Sequence, residues 1–295
     1  MNRRIKKTIL APMDLLYKIS PESTTKILYR LKTGRKLNLN NPRTYSEKLQ
    51  WIKLHYKDKL APRCADKYTV RKFVKQCGCE EILIKLLWQG YNPYDIPFDE
   101  LPQKFVIKVT HGSGGNIICR DKRQLNIPKT IKTLKRRLNE KYLPCYGEWF
   151  YGIIKPRIII EEYLEDEKGC SPIDYKIYCF HGNPKYIIAH VDRFTNHRSN
   201  MYDLDWNPIQ NITMKEIDSS LNVERPEKLE LLLDYARILS EKFIHVRVDL
   251  YLLQSKIYFG ELTFTSDAGF VVIDPIEIEE KIGSWIKLPK FNFME

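Results

Sequence analysis

The stretch Phe105-Val-Ile-Lys108-Val-Thr-His111-Gly-Ser-Gly-Gly115-Asn116 decides how the rest of the chain is read. Its first five residues predict a packed strand, because Phe105, Val106, Ile107 and Val109 are aromatic or β-branched. Lys108 interrupts that apolar run, so a cation is carried at a fixed place on a rigid element. His111, Gly112, Ser113, Gly114 and Gly115 then form a loop, and a second short strand begins near Ile117. Without Cβ atoms in the way, backbone N–H groups can crowd round an anion. A neighbouring lysine supplies the point charge that a di- or triphosphate needs. The competing reading is a plain glycine-rich turn beside a strand lysine. No Gly-Lys-Ser/Thr closes the loop, so the Walker pattern is excluded. The dinucleotide fingerprint, with a helix at its third glycine, is not matched either.

Outward from this stretch, the spacing predicts a mixed order of helices and strands. Upstream, Asp66 caps a helix over 66–76 that packs Tyr68, Phe73 and Val74, and an apolar strand covers 82–88. Further forward, residues 1–60 are helical. Leu15, Leu16 and Ile19 share one face, and Thr25, Ile27, Leu28 and Leu31 mark a second helix. That second helix has Ser20 as cap, Pro21 in its first turn and Gly34 at its end. A third covers 46–54, and Pro62 breaks the pattern. Downstream come a basic helix over 128–142, a loop over 142–155 anchored by Trp149 and Phe150, and an apolar strand over 157–163. A hairpin turning at residues 181–184 follows, then a short strand over 201–205 and a helix over 226–242. Two last strands cover 246–253 and 257–265.

Those two strands carry the sharpest signal. If their hairpin is symmetric about Ser255, Asp249 sits directly opposite Glu261, on a face shared with Arg247, Thr263 and Thr265. Val248, Leu250, Leu252, Leu262 and Phe264 take the other face. Like charges directly opposite are destabilising, and a cation between them resolves the repulsion. Two carboxylates presented to a polyphosphate are the usual way to hold Mg²⁺. An exposed hairpin with solvated charges is the alternative, since one slip of register separates the pair. Asp174 and Lys176 share a strand face by the period of two, as a surface ion pair or as part of a common cleft.

Composition bounds the function class. The 295 residues are 43% hydrophobic, enough for a substantial core, and hold no apolar run of membrane-spanning length. The apolar part of the basic start is too short for a signal peptide. Seven scattered cysteines without paired spacing suit reduced thiols in a cytoplasmic protein. The net charge of +12 is lopsided: residues 1–75 hold 20 Lys plus Arg against 5 Asp plus Glu, a surplus of +15, which leaves −3 for the other 220. Such a front end attracts polyanions, as nucleic acid, an anionic membrane face or an acidic polysaccharide. No nucleic-acid module is legible in it.

In their order over residues 64–269, these features resemble the ATP-grasp ligases. Asp66-Lys67 at a helix start resembles the Asp-Lys that opens the nucleotide site there. Lys108 with the loop 111–115 looks like the family's second lysine and its phosphate lid. Glu161-Glu162-Tyr163-Leu164 resembles the hinge whose backbone meets adenine. Asp174-Tyr-Lys176, after Gly169-Cys170, is similar to the Asp-x-Arg strand that faces the phosphates. Asp249 and Glu261 match the first two magnesium ligands. Thr263 stands where the family has Asn, a poorer ligand for which Asp267 could compensate. Lys176 replaces an arginine and cannot grip phosphate bidentately. The family's usual Rossmann-like front domain is not evident in residues 1–60. Asn41-Pro-Arg-Thr44 with Glu47-Lys48 and Trp51, and the ending Gly260-Glu-Leu-Thr-Phe-Thr265, look like the branch linked to teichuronopeptide and capsule synthesis.

The resemblance implies an α+β ATP-grasp fold: a helical basic segment over 1–62, a small subdomain with a glycine lid over 63–165, and a subdomain with the metal site over 166–295. It implies ATP and Mg²⁺ as cofactors and a carboxylate–amine ligation through an acyl phosphate. Lys67 and Lys108 would hold phosphates, and Asp249, Glu261 and Thr263 would hold the metal. Lys176, with Arg247 beside it, would meet the charge that develops on the acyl phosphate. The implied partners are a uronic acid of a surface glycan and an amine from an amino acid or amino sugar, in the cytoplasm or at the inner membrane face. Phosphotransfer or glycosyl transfer on the same glycan is a second possibility, and non-catalytic polyanion binding a third.

Overall fold

The structure is a computed structural model, and it describes residues 3–112, 114–140, 142–166, 169, 172–191 and 196–289. The chain opens with two helices, α1 (Arg3–Ile19) and α2 (Pro21–Thr33), joined through Ser20. The Ser20 hydroxyl accepts from Ser23 N, Pro21 takes the first turn, and Gly34 closes α2 in the left-handed conformation. Leu10, Met13 and Tyr17 of α1 pack with Leu28 of α2 onto Cys145 and Tyr146. Leu15, Ile19, Ile27 and Leu31, apolar at helical spacing, face solvent instead.

The third helix, α3 (Tyr45–His55), starts at a capping box: Thr44 Oγ1 accepts from Glu47 N, and the Glu47 carboxylate accepts from Asn38, Arg43 and Thr44 N–H groups. Pro62 does not break the chain there. It sits in the first turn of the short helix α4 (Ala61–Ala65), where its missing N–H costs nothing. Asp66 then caps the turn that enters α5 (Val70–Gln76), accepting from Tyr68 N and Thr69 N.

A four-stranded antiparallel sheet follows. It contains β1 (Leu86–Gly90), β2 (Phe105–Val109), β3 (Ile117–Cys119) and β4 (Ile158–Glu162) in the order β1-β4-β2-β3. The helix α6 (Ile127–Leu138) covers one face, and Phe105, Ile107, Ile158 and Ile160 pack there with Leu134. β1 starts later than expected from the sequence, because residues 80–82 form a 3₁₀ turn. Lys108 and Glu161 lie on the opposite face, diagonal to one another across the β2–β4 ladder.

The second sheet has five antiparallel strands: β5 (Ile173–Phe180), β6 (Asn183–Val191), β7 (Arg198–Tyr202), and two later ones. A two-residue strand, β8 (Thr213–Met214), and the helix α7 (Leu229–Ser240) precede β9 (His245–Leu253) and β10 (Lys256–Thr263). The order is β10-β9-β5-β6-β7. The chain ends with β11 (Ile273–Asp274), paired to β8, and α8 (Ile276–Ser284). α7 covers one face of the five-stranded sheet through Leu229, Leu232, Leu233, Ala236 and Leu239 against Ile177, Val248 and Leu250. On the other face, α3 and α8 cover Tyr178, Tyr186, Ile188 and Met201. Gly283 permits this, since a Cβ there would stand 2.2 Å from the carbonyl oxygen of Arg43.

The β9–β10 hairpin pairs Asp249 with Glu261 as the sequence predicts, by a different route. The turn is two residues, Gln254 and Ser255, both at positive φ, and Lys256 faces Leu253. That register alone would set Glu261 opposite Val248. A bulge at Gly260 absorbs one residue and restores the Asp249–Glu261 pairing.

Two features of the packing have measurable consequences. Glu279 is fully buried and accepts from Ser46 N at 3.1 Å, from Ser46 Oγ, and from Arg35 Nη1 at 2.5 Å, so it ties α8 to α3 and to the segment that follows α2. Glu279→Ala leaves Arg35 to Asp274 alone and takes the acceptor from the buried Ser46 N–H and hydroxyl, and should cost about 1 to 3 kcal/mol of stability in denaturant unfolding. No disulfide forms among the described residues, and burial pushes the thiols of Cys64, Cys79 and Cys179 up to about 12, 11 and 12. Unfolded thiols release their protons at lower pH than these folded ones. The folded state thus binds more protons in alkali, and the thermal midpoint should fall from about pH 8 to about pH 10.

Candidate active site

The uncovered part of the five-stranded sheet carries polar side chains in rows. Register places Glu261, Asp249 and Lys176 directly beside one another on β10, β9 and β5. Thr263, Arg247 and Tyr178 form the next row, and Tyr251, Asp174 and His190 the row on the other side. Strand pleat puts alternate residues on one face, so each row is a consequence of the alternation in its strands.

Arg247 holds the site together. Its Nε and Nη2 donate to the two oxygens of Asp249 at 2.7 and 2.6 Å, a bidentate fork. Nη2 also donates to Thr263 Oγ1 at 3.1 Å, and Nη1 to Ser266 Oγ at 3.1 Å. Thr263 Oγ1 donates in turn to Glu261 Oε1 at 3.1 Å. Lys176 Nζ stands 3.5 Å from Asp174 Oδ2. The side chain of Asp249 is 4% exposed and that of Glu261 36%, so Glu261 is the carboxylate an incoming group meets first. Burial pulls the Asp249 carboxyl upward, against Arg247 and Lys176. For Glu261 the balance goes the other way: despite burial, Lys67, Arg247 and Lys176 hold it down at about 2, ionised at any working pH.

The four-stranded sheet and the turn before α5 supply the facing side. Lys67 Nζ donates to Gly112 O at 2.7 Å and lies 3.7 Å from Glu261 Oε2, so it joins the glycine loop to the five-stranded sheet. Gly112, Gly114 and Gly115 all have positive φ, the conformation that turns successive N–H groups to one side of a loop. A side chain at 115 would overlap the Arg137 guanidinium of α6, whose Nη1 lies 1.2 Å from where a Cβ would stand. Ser113 falls outside the described residues. His111 Nε2 bonds Glu140 O at 2.9 Å.

Lys108 does not point into the loop. Its Nζ donates to Glu161 Oε2 at 2.7 Å, and Arg71 Nη1 donates to Glu161 Oε1 at 3.0 Å. Glu161 is therefore a buried counterion between two cations. Glu162 is exposed, Leu164 is half-buried, and the Tyr163 hydroxyl accepts from Arg120 Nε at 3.2 Å.

Of the residues selected from the sequence, Lys67, Gly112, Lys176, Arg247, Asp249, Glu261, Thr263 and Asp174 converge. Lys108 and Glu161 form a second cluster with Arg71. Sequence reasoning missed Arg71, Arg137 and Ser266. Arg71 follows Lys67 by four residues at the entry to α5, one helical turn on, a spacing that could have flagged it. Arg137 and Ser266 leave no such signal. Among the described residues no cluster of three or more His, Cys, Asp or Glu side chains gathers for a metal ion. A hard cation here would have two carboxylates and a hydroxyl.

No curated protein matches the chain. Among solved structures it is similar to D-alanine–D-alanine ligase from Bacillus anthracis in complex with ATP, at 19% identity over 68% of this chain and 54% of that one, with a TM-score of 0.41. The D-alanine–D-alanine ligase of Helicobacter pylori aligns at 11% identity over 83% of this chain and 69% of that one, with a TM-score of 0.45. An ADP complex of N5-carboxyaminoimidazole ribonucleotide synthetase aligns at 12% identity over 75% and 51%, with a TM-score of 0.47. The chain spans only about half the length of the first of these. The model of the TupA-like ATPgrasp family matches residues 47–287, from the capping box of α3 to the residues after α8, and the chain belongs to that family.

Proposed function

We propose that this protein is an ATP- and Mg²⁺-dependent carboxylate–amine ligase. One observation carries the reading: the row Glu261–Asp249–Lys176 on one sheet face, with Lys67 and the glycine loop opposite it. Two acids side by side next to converging cations suit a polyphosphate and its counterion.

The donor set fits magnesium. All available ligands are hard oxygens, and Mg²⁺ is commonly held by one or two carboxylates plus substrate phosphates. The Arg247 fork occupies one lone pair on each Asp249 oxygen and leaves the others. Glu261 is ionised and accessible. Bound there, the metal would neutralise charge on the transferring phosphoryl group.

In the reaction proposed, the γ-phosphoryl group of ATP passes to a substrate carboxylate, giving an acyl phosphate and ADP. A neutral amine then attacks the acyl carbon, the C–O bond to phosphate breaks, and an amide and inorganic phosphate remain. Lys67 and the N–H groups of residues 112–115 would bind phosphates. The Glu161–Leu164 segment would meet adenine, with Lys108 anchored on Glu161 at its edge. Lys176 would face the acyl phosphate, while Arg247 fixes Asp249 and compensates its charge. Asp174 orients Lys176 through their 3.5 Å approach.

For the carboxylate we propose a uronic acid of a cell-surface or capsular polysaccharide, and for the amine an amino acid or amino sugar. The enzyme would work in the cytoplasm, at the inner face of the membrane. Support comes from the membership of a TupA-like family and from the basic front end, which suits an acidic polymer.

Product analysis with ATP, a glucuronate polymer and mixed amino acids tests the reading. ADP with free phosphate and an amide supports it. ADP with a phosphorylated glycan would make the protein a kinase, and release of UDP or GDP from sugar nucleotides a glycosyltransferase. Asp249→Asn or Glu261→Gln should weaken Mg²⁺-dependent ATP binding by more than about tenfold in calorimetry, and unchanged binding would remove the metal role. Lys176→Met should leave ATP affinity near wild type and lower turnover about 10²- to 10³-fold, the usual loss when one electrostatic donor is deleted.

A further inference from the structure

We propose that the α1–α2 hairpin is a docking surface for an anionic lipid bilayer, with Leu15, Ile19, Ile27 and Leu31 entering its apolar boundary. This inference deepens the placement at the membrane face proposed above and uses none of the residues of the ligase site.

The first observation is an apolar side with nothing against it. A helix on the surface of a water-soluble protein needs one apolar stripe. α1 has two. Leu10, Met13 and Tyr17 pack inward, and on the reverse side Leu15 and Ile19, one turn apart, are 62% and 77% exposed. On α2, Leu28 packs inward while Ile27 and Leu31 look outward, Leu31 at 73% exposure. Of the eleven large hydrophobic side chains exposed among the described residues, five belong to these two helices. Both helices rest on the turn at residues 144–146, so their reverse sides leave the body together. Apolar side chains gathered in this way mark an interaction surface.

The second observation is charge, and it selects the occupant. Residues 1–36 carry ten Lys plus Arg and two acids, Asp14 and Glu22. Both acids are engaged locally: Asp14 accepts from Cys145 N at 2.9 Å, and Glu22 pairs with Lys26 at 2.5 Å. Beside the outward Ile27 and Leu31 lies an open groove of about 750 Å³, with Leu37 and Leu39 in its lining and Arg30, Lys36, Asn38, Asn40 and the Glu22-paired Lys26 around them. Its cations and amides suit the phosphate of a lipid headgroup, and the apolar neighbours suit the acyl region below it. A soluble polyanion would use the cations and leave the apolar side chains in water. A bilayer uses both, which is the pairing of apolar insertion and basic attraction that holds interfacial helices. No helix among the described residues is long and apolar enough to cross a membrane, so this contact is one of lying on the surface.

Sedimentation of the full chain with vesicles tests this. It should pellet with mixed phosphatidylglycerol–phosphatidylcholine vesicles at physiological salt and stay in solution with phosphatidylcholine alone. Arg30→Gln and Lys36→Gln should each lower the partition about fivefold. The double change Leu15→Ser with Ile19→Ser should lower it by at least about tenfold, with the thermal midpoint and Mg²⁺–ATP binding unchanged. Equal behaviour with both vesicles, or no binding to either, would overturn the proposal. So would binding that survives the apolar double change and is abolished by soluble polygalacturonate, which would assign the surface to a free polyanion. Loss of nucleotide binding by the wild type would count against the ligase reading and leave the bilayer result standing.

Discussion

One buried carboxylate, Asp249, dictates the arrangement of the cleft. An ionised carboxylate cannot sit beneath a protein surface without partners, because leaving water costs several kcal/mol even after relaxation. The chain answers with Arg247 on the same strand, two residues away, which the pleat places on the same face. Lys176 on the neighbouring strand adds a second cation. Thr263 and Ser266 then accept from two more of the guanidinium N–H groups. Every one of these groups is committed before any ligand arrives, so the site is pre-organised by the cost of hiding one charge.

That dependence explains how much of the site can be read from the sequence. Alternation along 246–253 is regular, and it assigns Arg247 and Asp249 to one face and Val248 and Leu250 to the other. The partner strand is less regular: Ile257 and Phe259 are apolar at odd positions, Leu262 at an even one. The change of parity falls on Gly260, where the bulge lies. A symmetric hairpin happens to reach the same Asp249–Glu261 pair while misplacing Ile257 and Phe259, which are core residues. The glycine in the middle was the legible sign of the switch.

Other parts were less legible for identifiable reasons. The sequence places the start of β1 too early because Ile82 and Leu83 are apolar enough for either a strand or a buried 3₁₀ turn, and periodicity cannot separate short runs. Periodicity identifies α1 and α2 as helices but does not say which side faces the body, since both carry apolar residues on two sides. Lys108 was correctly placed on a strand, but its direction depends on Glu161 and Arg71 at sequence separations of 53 and 37, which no local pattern reports. The same is true of Lys53, a buried lysine of α3 whose ammonium is spent on the carbonyls of Tyr146 and Ala268.

The single ammonium of Lys67 touches both a loop carbonyl, Gly112 O, and the more open of the two acids, Glu261. It acts as a latch with two hooks. Any group that draws this ammonium aside takes a contact from the loop and a counter-charge from the acid at once. The glycine loop and the five-stranded sheet thus share a single charge, and neither can change its surroundings without the other.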